Sequence, residues 1–221
     1  MNLTETVLPN WVLWASAAML LLILGRALLR APWGRLQEGQ FIHVFLGSSV
    51  GLLLIWTLKA GVDPGLSFHL LGATLFTLMF GWELAVVALT LVTLGTTLNM
   101  GHGWSVVPVN VLVEGVVPAF ATTLLLRVSE RRLPHNLFVY IFVNGFFGAG
   151  IAVLASSLVA AGLLAATEAY TVSHLQSGYL AFVPLLMFSE AWLTGMIVSI
   201  LVAYRPEWIQ TFDDRQYLHG K

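Results

Sequence analysis

Cysteine is absent from the 221-residue chain, which removes disulfides, thiolate metal sites, iron–sulfur clusters and cysteine nucleophiles together. Charge is scarce. Asp, Glu, Lys and Arg make up 10% of residues, against roughly 25% in an average soluble chain. With 58% apolar residues and a mean hydropathy of +0.86, too few polar groups exist to coat a globule, so the solvent is a lipid bilayer. Ten basic and eleven acidic residues leave a net charge of −1, which excludes a basic nucleic-acid binder and an acidic disordered tail. Lysine occurs only at Lys59 and Lys221; a retinal Schiff base in a last span has no lysine to form on. The sole Gly-Lys pair is Gly220-Lys221, so no P-loop binds ATP. No H-E-x-x-H occurs, and the spacings from His43 to Ser48 and Ser49 do not set a serine face to face with that histidine, against an intramembrane serine protease.

What is present is long apolar runs. A spanning helix takes about 20 mostly apolar residues, and this ruler predicts seven spans near 8–25, 40–58, 66–81, 84–100, 106–126, 137–166 and 178–204. The first is expected to be a span and not a cleaved signal, because Arg26 and Arg30 follow the apolar run and no positive charge precedes it. Nine of the ten Lys and Arg residues fall after spans one, five and seven. Retention of such residues in cytoplasmic loops predicts an outward N-terminus and a cytoplasmic C-terminus. The expectation is an all-α integral membrane protein: one seven-helix domain over 1–204 with an outward segment 1–7, then a cytoplasmic interfacial tail over 205–221. The outward connections are too short to form a domain.

Ionisable groups at membrane depth cost at least ~2.5–3.5 kcal/mol each on insertion scales, so each needs a reason. His43, His69, Glu114 and Glu190 qualify. Entering from outside, span three puts His69 within a turn of the outer face. Span five places Glu114 about 12 Å deep and Asn110 one turn above it, on the same helix face. Glu190 lies near the bilayer middle and His43 near the cytoplasmic surface. The plain reading of a lone membrane glutamate is an interhelical hydrogen-bond partner, and of His102 and His174 an exposed loop residue. The plain reading of the span glycines is close helix packing.

At these residues the chain resembles a known family, the membrane substrate-capture permeases of cobalt and nickel energy-coupling-factor transporters, the CbiM/NikM type. The likeness is carried by the opening MNLTETVLPNWVLW with Glu5, Leu8 and Pro9, by SFHLLGATLFTLMFGWELAVVALTLV at 67–92, by VPVNVLVEGVVPAF at 107–120 and by FSEAWLTGMIVS at 188–199. These stretches span most of the chain. The resemblance implies a metal site near the outer face, built in the family from the amine of residue 1, the backbone nitrogen and imidazole of a histidine at residue 2, and the histidine of span three. Met1 and His69 match by position; Asn2 replaces the histidine. Asn2 still offers an amide oxygen or a backbone nitrogen, and His102, Glu5 or Asn110 could complete the shell.

The resemblance implies uptake of a divalent transition metal, cobalt or nickel, by a multi-pass permease of the bacterial inner membrane. Partner ATPases and a separate coupling membrane subunit would supply the energy, as in other ABC-type systems. Flat nitrogen-rich geometry also suits copper. Asn110, Glu114 and Glu190 would mark the inward path. No organic cofactor and no nucleic-acid partner is expected. Two rivals stand beside this reading: an accessory or assembly subunit using the same fold without transport, and an intramembrane enzyme with Glu114 and Glu190 as proton carriers.

Overall fold

The computed structural model describes residues 3, 4, 7–58, 60–63, 66–100, 103–213 and 217. Among them, five helices are long and apolar enough to cross a membrane. They are α1 (Asn10–Arg30), α3 (Ala73–Met100), α4 (Trp104–Arg132), α5 (Leu137–Ala166) and α6 (Val172–Tyr204), and α2 (Phe41–Thr57) is shorter. A bundle in lipid inverts the soluble pattern. Trp14 is 77% and Leu29 88% exposed on α1, while the threonines of α3 turn inward. Thr90, Thr93 and Thr97 each donate to the carbonyl four residues back, which satisfies hydroxyls that lipid cannot.

One feature departs from the predicted spans. The segment expected to open span three at residue 66 is a strand: β1 (Ala60–Asp63) pairs antiparallel with β2 (Leu66–Phe68), with Ala60 opposite Phe68 and Gly61 opposite Ser67. Among the described residues the fold is therefore helical with one small hairpin. It brings the chain from the end of α2 back toward the bundle, and Phe68 stacks on Tyr179 of α6 at 5.2 Å, anchoring the residue before His69.

The helix α3 itself is broken. Gly81 has φ 75° and ψ 172°, a region that essentially only glycine occupies. It divides α3 into a first arm, residues 73–80, and a second arm, residues 82–100. The chain doubles back there. A Cβ on Gly72 would lie 2.7 Å from Leu52 Cδ1, and one on Gly95 would strike Leu53, the next residue of α2. Gly72 and Gly95 are 23 residues apart, roughly 34 Å on a straight helix; both meeting the same turn of α2 requires a reversal between them. The predicted division into segments ending at 81 and restarting at 84 falls on this break.

The short first arm leaves end groups that lipid cannot solvate. At its lower end, Gln210 N–H donates to the Met79 carbonyl at 3.0 Å and Thr211 N–H to the Leu78 carbonyl at 3.3 Å. The residues that follow α6 therefore pack against the first arm, with Ile209 and Phe212 buried. The Gly81→Ala substitution should cost about 1–3 kcal/mol through backbone strain. Gly47→Ala, whose Cβ meets nothing within 4 Å, should stay within about 0.5 kcal/mol; unfolding in detergent compares the two.

Candidate functional site

His69 lies in the connection between β2 and α3 and Glu114 in the middle of α4. His69 Nε2 and Glu114 Oε1 stand 3.3 Å apart with side chains 1% and 2% exposed. His69 Nδ1 is 3.1 Å from the Leu70 carbonyl. A carbonyl only accepts, so Nδ1 carries the proton. In the neutral ring, Nε2 then presents a lone pair to a carboxylate oxygen that is itself an acceptor. Two acceptors at this distance need a positive charge between or beside them. A backbone carbonyl bound to the far ring nitrogen is also the usual way a metal-binding histidine is oriented. Trp56 packs on the imidazole with ring centroids 4.6 Å apart, and its indole N–H donates to the Leu71 carbonyl at 3.3 Å.

Glu114 is presented by an irregularity in α4. Residues Val111–Val116 adopt π-helical geometry, and the Val117 N–H donates five residues back to the Leu112 carbonyl. The next donor in that register would be residue 118, a proline without an N–H. The stranded Val113 carbonyl accepts instead from the Ser156 hydroxyl of α5 at 2.7 Å. Single π turns in longer helices gather at functional sites, and here the widened turn carries the buried carboxylate.

Asn110, expected beside Glu114, is buried there and has a structural task. Its side-chain oxygen accepts from the Leu3 N–H at 2.9 Å, and its amide nitrogen donates to the Leu3 carbonyl at 3.1 Å. The chain's third residue, 1% exposed, is clamped one helical turn from Glu114. Met1, Asn2, Glu5 and His102, also named as candidate ligands, lie outside the described residues. Among those described, no group of three or more His, Asp and Glu side chains is close enough to hold a metal; the pair is one imidazole and one carboxylate.

Glu190, expected along the inward path, binds two backbone amides. Its two oxygens accept from Leu71 N–H at 2.8 Å and Gly72 N–H at 2.6 Å. It thus holds the amides just ahead of the first arm of α3, where a negative group complements the helix end. Through the intervening backbone it sets where His69 sits. Glu190 also borders a cavity of ≈ 170 Å³ with Ser48, Gly51, Gly72, Phe76 and Thr194. His43 lies in a separate groove with Gln40, Met79 and Trp208, apart from the His69–Glu114 pair. Residues that sequence reasoning missed are Trp56 and the Leu3 and Leu70 backbone. A tryptophan at a span end reads as an interfacial anchor, and backbone groups carry no sequence signal.

The family model described as CbiM, cobalt uptake substrate-specific transmembrane region, matches residues 2–208. The chain belongs to that family. A solved structure, "Crystal Structure of an transition metal transporter", is similar in fold, with a TM-score of 0.75 and 18% identity over 92% of this chain and 93% of the other. A search of curated proteins found no match. Family membership makes the chain a multi-pass membrane component of metal uptake and not an enzyme.

Asn110→Leu strands a buried donor and a buried acceptor on Leu3, each worth about 1–3 kcal/mol. It should lower stability in detergent and speed hydrogen exchange at the Leu3 amide; unchanged exchange would mean the clamp is dispensable.

Proposed function

We propose that this CbiM-family chain captures a divalent transition-metal ion at the outer face and passes it inward. His69 Nε2 and Glu114 are ligands, and the Met1 amine and Asn2 complete the shell. The observation that carries this reading is the acceptor–acceptor pair at 3.3 Å with Nδ1 already used by Leu70. The Asn110–Leu3 clamp supports it, since two residues beyond Leu3 reach only about 7 Å of extended chain, enough to bring the terminal amine to the pair and little further.

A terminal amine and an imidazole with ordinary pKa values of ~7.7–8.0 and ~6.5 yield their protons to a metal near neutrality. Nitrogen ligands with one carboxylate suit cobalt or nickel, and copper binds the same donors more tightly. With the pair almost wholly buried, a bound ion is occluded from both faces until the bundle rearranges. The chain holds no nucleotide motif, so partner ATPases and a coupling membrane subunit drive that rearrangement, as in an energy-coupling-factor system of a bacterial inner membrane. Glu190 contributes by holding the His69 connection, and Glu114 is the first inward step.

His69→Ala should abolish metal retained by purified protein, read by elemental analysis, with helical circular dichroism preserved. Glu114→Gln should weaken binding by at least about tenfold. Wild-type metal content in His69→Ala would overturn the assignment.

The seven-crossing arrangement with an outward N-terminus has its own test, since the chain lacks cysteine. Single cysteines at Ser105 and Ser173 should react with an impermeant maleimide on intact cells. Those at Arg131 and Glu207 should react only after permeabilisation, and the reverse pattern would invert the topology.

A further inference from the structure

Among the described residues, four buried side-chain polar atoms have no hydrogen-bond partner: both amide atoms of Asn144, Oε1 of Gln210 and the Tyr217 hydroxyl. They come from three separate segments, each of which adjoins Tyr140. Tyr140 joins them. Its hydroxyl bonds Thr211 Oγ1 at 2.6 Å, next to Gln210. Its ring centroid is 5.1 Å from that of Tyr217, and Asn144 follows about one turn later on α5. The Gln210 amide lies over the break in α3, where a Cβ on Gly81 would be 3.2 Å from Oε1.

These groups also line up beneath the His69–Glu114 pair. Thr74 and Thr122, five residues past His69 and eight past Glu114, share a hydrogen bond at 2.8 Å. A Cβ on Gly148, a turn beyond Asn144, would lie 3.9 Å from Thr74 Cγ2. Asn144, itself 1% exposed, therefore sits between the Thr74–Thr122 level and the Tyr140–Thr211 level. Residues 206–212 close the column from below through the Gln210 and Thr211 amides on the Met79 and Leu78 carbonyls.

An unpaired buried amide lowers stability where an apolar side chain of similar size would not. Four such atoms on segments that all adjoin Tyr140 point to a polar ligand that spends time there. We propose that Asn144, Gln210 and Tyr217 form an inner station for the partly hydrated divalent cation, between the His69–Glu114 pair and the cytoplasm, with residues 206–212 as its floor. This rests on the capture reading above. Amide and phenol oxygens hold a transition metal more loosely than imidazole does, so the station passes the ion on and does not retain it. Burial, aided by Glu130, pushes the Tyr217 phenol up to about 12, so it remains a neutral hydroxyl able to bond water on the ion.

The test places Asn144→Leu, Asn144→Asp and His69→Ala in the chromosome of the native host, with uptake of radioactive cobalt and nickel as the readout. Asn144→Leu should reduce uptake about tenfold or more, the scale of losing a group that supports a bound metal. The purified variant should retain the wild-type amount of cobalt and unfold at a higher temperature when metal-free. Asn144→Asp, which keeps an oxygen donor, should retain uptake, so a general packing defect is told apart from loss of the donor. Wild-type uptake in Asn144→Leu, with uptake lost in His69→Ala, overturns the inner station alone. Wild-type uptake in His69→Ala overturns the capture reading beneath it. Should Asn144→Leu fail to accumulate, Asn144→Ala replaces it, and equal uptake by the Ala and Asp variants overturns the proposal.

Discussion

Two hydrogen bonds from the Leu71 and Gly72 amides to the Glu190 carboxylate hold the rest of the site in place. The first arm of α3 is only about 12 Å long at 1.5 Å per residue, too short for its ends to reach water across a bilayer. Each end must then be satisfied by protein. Glu190 takes the upper end and the Gln210 and Thr211 amides take the lower. Because His69 is two residues before Leu71, whatever fixes those amides also fixes the imidazole. The hydrogen bond from Trp56 to the Leu71 carbonyl completes the frame.

The opposite wall is built by a comparable need. Pro118 removes the donor that the Val113 carbonyl would use in the π register, and Ser156 supplies one from the neighbouring helix. The widened turn that results carries Glu114 against His69, so an irregularity that would weaken an isolated helix becomes the mount for a buried carboxylate. Asn110 extends the same wall upward and clamps the chain's beginning to it. Site and fold are thus joined through backbone groups that lipid would otherwise leave unsatisfied.

The same constraint distinguishes two kinds of buried polar residue in this bundle. Thr90, Thr93, Thr97 and Ser156 bond carbonyls and are complete within the fold. Asn144 is not, and neither are Gln210 Oε1 and the Tyr217 hydroxyl. These unpaired groups are what sets this end of the bundle apart from the structural polarity common to membrane helices.

Much was legible in the residues themselves. Long apolar runs with little charge specify a membrane bundle, because hydrocarbon excludes charge and demands internal backbone pairing. The cost of burying an ionisable group singled out His69, Glu114 and Glu190 against that background. Which partners those groups meet was decided only by tertiary contacts. Glu114 and Glu190 are alike as buried carboxylates in apolar helices, yet one meets an imidazole and the other two backbone amides. The partners lie 45 and about 118 residues away in the chain. The strand at Leu66–Phe68 and the docking of residues 206–212 were hidden for the same reason. Apolar periodicity reports which surfaces avoid water, whereas these features answer to unpaired N–H and C=O groups, identical in every residue and visible only once the chain has folded around them.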